Sequence, residues 1–172
     1  MTAQTESRAL IQIVSAEDRN FAGVMECWPP EWKGPFANEV LDMAVAIRSG
    51  KVLIAVLRDS KRASPNPDQD PVLGWLLWDD RFCPGSLYVR KAAVRRENRK
   101  TGILGLLLTE AVDFGNRAGF RQILADMGPD SLVSEDYARR LGFEPIGQVK
   151  GLAAEDYVTT FWRLKPSAGK ME

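Results

Sequence analysis

Hydrophobic and polar positions alternate along the chain in short runs typical of strands and longer runs typical of helices. Apolar, β-rich runs between turn-forming or polar positions predict six strands. These cover Leu10–Val14, Val52–Leu57, Val72–Trp78, Ser86–Val94, Arg121–Met127 and Asp156–Leu164. Apolar residues at helical spacing, together with helix-start signals, predict four helices. These cover Ala16–Cys27, Phe36–Ser49, Gly102–Ala118 and Leu132–Leu141.

Residues at the segment ends indicate where these elements start and stop. Ser15, followed by Asp18 in the first turn, is the expected N-cap of the first helix, and Gly50 is the expected end of the second. Trp28–Pro35 contains three prolines and is expected to be irregular, whereas the polar segment Arg58–Pro71 is expected to form a long hairpin loop. Strands and helices mix without strict alternation. The pattern therefore predicts a mixed α/β (α+β) fold with early hairpins and a later strand–helix–strand crossover.

Length and composition predict one globular domain. The chain has 172 residues and is 45% hydrophobic, which is enough to form a sizeable core over residues 1–172, with 1–8 and 166–172 as flexible tails. The longest uncharged apolar run, Gly102–Thr109, is too short to cross a bilayer. The polar start Met1–Arg8 is unlike a signal peptide. A cytoplasmic protein without a membrane partner is therefore expected.

The residue types present exclude several kinds of chemistry. The chain has no histidine, which removes Ser-His-Asp and Cys-His catalysis and most zinc sites. Two cysteines, Cys27 and Cys83, are too few for a disulfide framework or a zinc cluster, and no metal site is expected. Lys+Arg and Asp+Glu are equal at 23 each. This balance argues against a dedicated nucleic-acid binder unless the basic residues cluster.

The segment between the strand that ends at Val94 and the helix that begins at Gly102 is basic and polar. Unpartnered amides and the helix dipole at such a helix start bind anions, phosphate above all, and glycine lets ligand oxygens approach the backbone. Six cations lie within eleven residues: Arg90, Lys91, Arg95, Arg96, Arg99 and Lys100. The density indicates a multiply charged ligand such as a pyrophosphate. A solvated basic turn before a core helix is the alternative.

Two motifs in this half of the chain resemble those of the GNAT family of N-acetyltransferases. Arg99-Lys100-Thr101-Gly102-Ile103-Leu104 resembles the family's acyl-CoA-binding motif [RQ]-x-x-G-x-[GA], and the segment from Ser131 to Phe143 resembles its second signature. The resemblance covers Ser86 to Phe143. It implies a central, mostly antiparallel twisted sheet flanked by helices, with acetyl-CoA as cofactor. The implied activity is acetyl transfer to a primary amine by direct attack in a ternary complex.

The resemblance also implies which residues hold the cofactor. These are Ala93, Val94, Arg99, Lys100, Thr101, Gly102, Ile103, Leu104, Gly105, Ser131, Ser134 and Tyr137. A backbone amide of Ala93 or Val94 is the implied oxyanion donor. The chain departs from the family pattern at two of the motif positions. Leu104 replaces the final small residue of the first motif, although Gly105 follows directly, and Ala138 replaces a tyrosine that many relatives use as a general acid. Ser134, one helical turn before Ala138, has a hydroxyl that could take that role, whereas Tyr137 could simply be a core residue.

A base must accept a proton from the amine, since an alkylamine is mostly protonated at neutral pH. Without histidine, the base is a carboxylate, a water molecule that a carboxylate activates, or bulk solvent. Asp126 ranks first because the family topology implies that its strand lies beside the acyl group, and Asp79 and Asp80 are the other candidates. Each of the three could instead be a charge at the end of a strand.

The family resemblance implies that the loop between the first two helices shapes the acceptor pocket. Trp28, Glu31, Trp32 and Phe36 lie there, and aromatic faces with a carboxylate suit a cationic amine. A hydrophobic flap over the sheet is the alternative. The remaining tryptophans, which lie on predicted strands, are expected to form core or a homodimer surface. They are Trp75, Trp78 and Trp162.

Two further hypotheses remain beside an acetyl-CoA-dependent N-acetyltransferase. The first is a catalytically weak CoA-binding or regulatory module, for which Leu104 and Ala138 are the reasons. The second is an acyltransferase with a different acyl donor or acceptor, suggested by the basic cluster. Turnover, acyl-chain preference and salt dependence would distinguish them.

Overall fold

The protein is described here by a computed structural model that covers residues 10–32, 37–58, 70–128, 131, 133–151 and 155–165. The predictions for both tails and Phe36, and most of the hairpin-loop prediction, lie outside these residues. The strands are β1 (Leu10–Ser15), β2 (Val52–Arg58), β3 (Val72–Asp79), β4 (Ser86–Val94), β5 (Gln122–Met127), β6 (Glu144–Lys150) and β7 (Val158–Leu164). The α-helices are α1 (Phe21–Glu26), α2 (Ala37–Arg48), α3 (Ile103–Arg117) and α4 (Glu135–Arg140).

These strands form a seven-stranded sheet in the order β1-β2-β3-β4-β5-β7-β6. β1 and β2, β2 and β3, β5 and β7, and β6 and β7 are antiparallel pairs, whereas β4 and β5 are parallel. The parallel pair is joined by α3, which is the predicted strand–helix–strand crossover. The mixed α/β fold class is thereby confirmed.

Three element predictions need correction. The interval Ala16–Cys27 holds a short 3-10 turn and then the six-residue α1, and Ser15 is no N-cap because it pairs with Leu53 as the last residue of β1. The helix predicted over Leu132–Leu141 begins only at Glu135, because Ser134 has extended backbone angles and acts as its N-cap. β6 was not predicted.

The chain divides into two compact units, and the first contains the described residues up to Leu77 together with Lys91–Glu110. Its core includes the fully buried Val24, Met43, Ile54 and Trp75, from α1, α2 and two strands. Apolar residues at helical spacing on α2 and a continuous apolar run on β2 produce this packing.

The second unit contains Trp78–Arg90 and the described residues from Ala111 onward. Trp78 packs against Phe114 and Phe120, with ring centroids 5.0 and 6.2 Å away, and Trp162 is fully buried. Trp75, Trp78 and Trp162 are thus core residues, one of the two interpretations the sequence left open. No helix in the described part of the chain is long and apolar enough to cross a membrane.

Candidate functional site

The turn between β4 and α3, in the first unit, has a backbone shape that few sequences tolerate. After a 3-10 turn at Arg96–Asn98, Lys100 has a φ of 67° and Gly102 a φ of 89°. A Cβ at Gly102 would meet no atom of the described residues within 4 Å, so the surface there is open among them. The first helical hydrogen bond in this turn runs from the amide of Leu106 to the carbonyl of Gly102, at 3.1 Å. The amides of residues 103–105 therefore have no acceptor within the helix and lie at its positive end.

Side chains of the turn hold it in place. The Thr101 hydroxyl donates to the Asn98 carbonyl at 2.6 Å, and Arg99 Nε donates to the carbonyl of Val94 at 3.4 Å. Ile103 is buried under the start of α3, whereas Leu104 and Gly105 are half-buried. Hydrogen bonds from Thr101 and Arg99 to carbonyls earlier in the same segment thus stabilise the turn and the orientation of its exposed amides.

The six cations that lie near this turn in the sequence do not all point to one place in the structure, because several of them bond to different partners. Arg95 Nε donates to the Val72 carbonyl at 2.6 Å, and its Nη2 donates to Glu26 at 2.5 Å. Arg90 belongs to the second unit, where its Nη1 atom lies 3.9 Å from Oδ2 of Asp79. Lys91 pairs with Glu39, and Arg99 bonds within the turn as described. Arg96 and Lys100 are the members of the cluster with exposed side chains at the turn itself.

The end of β4 lies unusually close to β3. A Cβ at Gly74 would lie 2.8 Å from the Ala93 carbonyl and 3.2 Å from Val94 Cγ2. Glycine is therefore required there, and both Ala93 and Val94 are buried. The Arg95 amide donates to the Leu73 carbonyl at 2.9 Å, which holds this end of the strand on β3.

Two of the predicted acceptor residues form an aromatic cluster. Trp28 and Trp32 pack edge to face at 5.6 Å, and Trp75 lies 5.8 Å from Trp28 and 6.3 Å from Trp32. The Lys91 ammonium lies 5.2 Å from the Trp28 ring centroid and 5.7 Å from that of Trp32, and bonds to Glu39. Glu31 lies in a short 3-10 turn at Pro30–Trp32. In the sequence, Lys91 stands out only as a member of the basic cluster, and its contact with the two rings is not predicted.

In the second unit, the three candidate bases have different environments. Asp126 accepts a hydrogen bond from the Tyr88 hydroxyl at Oδ1. Burial, followed by this bond, raises the pKa of the Tyr88 phenol, while Arg90 acts in the opposite direction. Asp79 is only 8% exposed and accepts from the Arg81 amide at 2.7 Å. Asp80 is exposed.

An open pocket of about 420 Å³ lies beside Asp79 and beside Tyr88, the hydrogen-bond partner of Asp126. Its lining residues are Asp79, Arg81, Phe82, Tyr88 and Arg90. Phe82 is 56% exposed and stacks on Tyr88 with a centroid distance of 4.2 Å. Tyr88 was not among the predicted site residues, because only the register of β4 against β5 brings it to Asp126. That register pairs Tyr88 with Leu124, two residues before Asp126.

The second signature forms the start of α4. Ser134 Oγ accepts from the Tyr137 amide at 3.2 Å, and Ser131 Oγ accepts from the Val133 amide at 3.2 Å. Ala138, at the position where the family resemblance implies a tyrosine in many relatives, is 2% exposed. Tyr137 is half-buried, and the Arg140 guanidinium lies 5.6 Å from its ring. The predicted cofactor residues thus fall into two groups, Ala93–Gly105 in the first unit and Ser131–Tyr137 in the second. In the described part of the chain, no group of three or more His, Cys, Asp or Glu side chains could hold a metal ion.

The mixed α/β fold with its seven-stranded sheet matches solved structures of GNAT acetyltransferases. The chain is similar to a GNAT-family acetyltransferase from Bacillus cereus, with a TM-score of 0.71 and 14% identity over 92% of this chain and 99% of that one. It is also similar to the yncA protein from Salmonella typhimurium with its cofactor acetyl-CoA, with a TM-score of 0.71 and 15% identity over 93% and 96%. A third similar structure is the ribosomal-protein-S18-alanine N-acetyltransferase from Escherichia coli, with a TM-score of 0.68 and 13% identity over 95% of this chain and 99% of that one. The sequence matches no family model and no curated protein. The GNAT fold implied by the two motifs is confirmed.

Proposed function

We propose that the chain is an acetyl-CoA-dependent N-acetyltransferase of the GNAT family that transfers an acetyl group to a primary amine of a small molecule or protein. The observation that carries this proposal is the turn before α3. An open glycine surface at Gly102 lies at the start of a 15-residue helix whose first amides have no acceptor within the helix. These amides and the exposed Arg96 and Lys100 suit the diphosphate of a CoA carrier.

The residues on β4 suit the acyl transfer step. Acetyl-CoA supplies the activated acyl group when it is bound. β4 pairs with β5 from Ser86 to Val89 and then continues to Val94. A backbone amide of Ala93 or Val94 is the proposed donor to the developing oxyanion, and its position on the rigid β3–β4 pair fixes its direction in advance.

Asp126 is the proposed general base. The Tyr88 phenol, whose pKa is raised chiefly by burial, keeps its proton and donates to Oδ1 of Asp126. The Oδ2 atom remains as the proposed proton acceptor from the attacking amine, directly or through water. Asp79 is the less suitable candidate because its carboxylate already accepts from Arg81 and lies near Arg90.

The cluster of Trp28 and Trp32 is the proposed binding surface for the amine. Its faces already receive an alkylammonium group, that of Lys91, and Glu39 provides the negative charge beside it. An acceptor with an alkylamine would find the same chemistry there. We assign Glu31 and Phe36 to this surface on the resemblance alone.

A CoA-binding module with little turnover is the second candidate. Ala138 offers only a buried methyl group at the position where many relatives use a tyrosine as an acid. Ser134 Oγ already accepts a hydrogen bond from the Tyr137 amide. The Ser134 hydroxyl proton is still available to a leaving thiolate, so the proposed enzyme retains one donor in this region.

Calorimetric titration with acetyl-CoA, followed by thiol-release assays over a panel of primary amines, tests the proposal. Binding and amine-dependent thiol release are expected. Binding without release for any amine would favour the CoA-binding module, and absence of binding would refute both. Thiol release from longer acyl donors, and competition by polyanions at low salt, would test a different donor or acceptor.

A further inference from the structure

Lys91 occupies the cation site of the aromatic cluster from within the chain. Its ammonium faces the Trp28 and Trp32 rings and bonds to the Glu39 carboxylate. The side chain is still 36% exposed. An ammonium flanked by two indole faces and a carboxylate is the arrangement proposed above for an acceptor amine, so Lys91 has the surroundings of a substrate.

Lys91 also lies close to the proposed acyl site along its own strand. It precedes Ala93 by two residues on β4, a spacing of about 6.6 Å in an extended strand. Residues two apart on a strand share one face. Ala93 packs in the core cluster that Trp28, Trp32 and Trp75 also contact. The Lys91 side chain and the Ala93 methyl group therefore face the same aromatic cluster. The Ala93 amide, one proposed oxyanion donor, lies two residues from Lys91 on the same strand.

We propose that Lys91 is a self-acetylation site, which receives the acetyl group of acetyl-CoA bound to the same molecule. This inference rests on the proposed function. The ammonium first loses a proton to Glu39 or to water, and Nζ then attacks the thioester carbonyl. The N–C bond forms and the C–S bond breaks, the electron pair leaves with the sulfur, and the CoA thiolate takes up a proton while the amide nitrogen releases one to solvent.

Acetylation would change the site in a defined way. It removes the positive charge of Lys91 and with it the ion pair to Glu39 and the attraction to the two indole rings. The two indole faces would then carry no cation of the chain itself and could receive an external amine. The modified protein is therefore expected to bind a cationic acceptor more tightly than the unmodified protein does.

The experiment incubates the full chain with acetyl-CoA and follows acetylation by intact mass and peptide mapping. One acetyl group at Lys91 is expected. Its rate should saturate with acetyl-CoA and be half-maximal near the dissociation constant measured by calorimetry. The rate constant should not depend on protein concentration, as for a reaction within one molecule. Lys91→Arg should remove the modification. The matched variant Lys150→Arg, which alters an exposed lysine on β6, should keep it.

Each other outcome overturns the inference. Equal acetylation of many lysines in the wild type and in Gly102→Glu would indicate chemical acetylation by the thioester. A first-order rate constant that rises in proportion to protein concentration would indicate transfer between molecules. If acetyl-CoA binds and an external amine is acetylated while Lys91 stays unmodified, the self-acetylation site is refuted and the proposed function stands. Absence of acetyl-CoA binding in calorimetry refutes both.

Discussion

The Tyr88 hydroxyl on β4 donates a hydrogen bond to the Asp126 carboxylate on β5, across the parallel pair at the centre of the sheet. Burial of the phenol and the adjacent negative charge both favour the protonated form, so the pKa of Tyr88 rises. The Tyr88 phenol therefore keeps its proton. Asp126 keeps a fixed orientation and an oxygen that is not used by Tyr88.

Replacement of Asp126 by Asn tests its role as the base. We expect kcat to fall roughly 10²–10⁴-fold, because the amide cannot accept the amine proton, while acetyl-CoA affinity changes little. Steady-state kinetics and calorimetry measure the two quantities. Asp113→Asn, which alters an exposed carboxylate on α3, is the control and should leave both unchanged. An unchanged kcat in Asp126→Asn would move the role to Asp79, Asp80 or solvent.

Gly102→Glu should abolish acetyl-CoA binding, because a carboxylate at the open turn repels the diphosphate. The φ of 89° adds backbone strain of about 1–2 kcal/mol to any substitution there. Gly50→Glu separates the two effects, because Gly50 also has a positive φ, 66°, and open space, and lies outside the turn. Both variants should lose similar stability in urea unfolding, and only the first should lose binding in calorimetry. Equal acetyl-CoA affinity in the two variants would contradict the phosphate site.

Arg95 and Arg96 are adjacent but should respond differently to mutation. Arg95→Met removes a side-chain donor from the Val72 carbonyl, so we expect a loss of about 1–3 kcal/mol in unfolding free energy with little change in acetyl-CoA affinity. Arg96→Met should leave stability unchanged and weaken binding, more so at low salt. Urea unfolding and calorimetry at two salt concentrations measure both effects. The opposite pattern would mean that Arg95 is the phosphate contact.

Cys27 should make the protein less stable at alkaline pH. Burial raises the pKa of its thiol from 9.0 to about 11. Its contribution to stability is therefore complete below pH 9.0 and is lost as the pH rises towards 11, because the unfolded chain releases the proton first. Urea unfolding as a function of pH should show this decline in the wild type and a smaller one in Cys27→Ala. Cys83→Ala should decline like the wild type. A thiol reagent at neutral pH should label the partly exposed Cys83 before Cys27.

Local signals predicted the central elements well. β4 has its predicted bounds, and each end of α3 lies within one residue of its predicted position. Apolar residues at helical spacing extend over the whole of α3, and a glycine with positive φ precedes it. β6 was missed because all seven of its residues are exposed, and Pro145 and Gly147 are poor strand formers. Only pairing with β7 makes this segment a strand.

The conformation of the candidate site could be predicted from sequence where one continuous segment forms it. The turn from Arg99 to Gly102 is such a segment, since its conformation depends on neighbouring residues and on a glycine that tolerates positive φ. The basic cluster was not predictable in the same way. Its side chains are long, and Arg95 and Lys91 turn to partners on α1 and α2 that are distant in sequence.

The sequence by itself determined the strand–turn–helix unit, the exclusion of histidine chemistry and the fold that the two motifs implied. The tertiary structure alone decided that Tyr88 meets Asp126 and that Lys91 lies over Trp28 and Trp32. The physical reason is the range of the interactions involved. Hydrogen bonds along a turn follow from nearby residues, whereas contacts across strands depend on a register that the whole hydrophobic core sets.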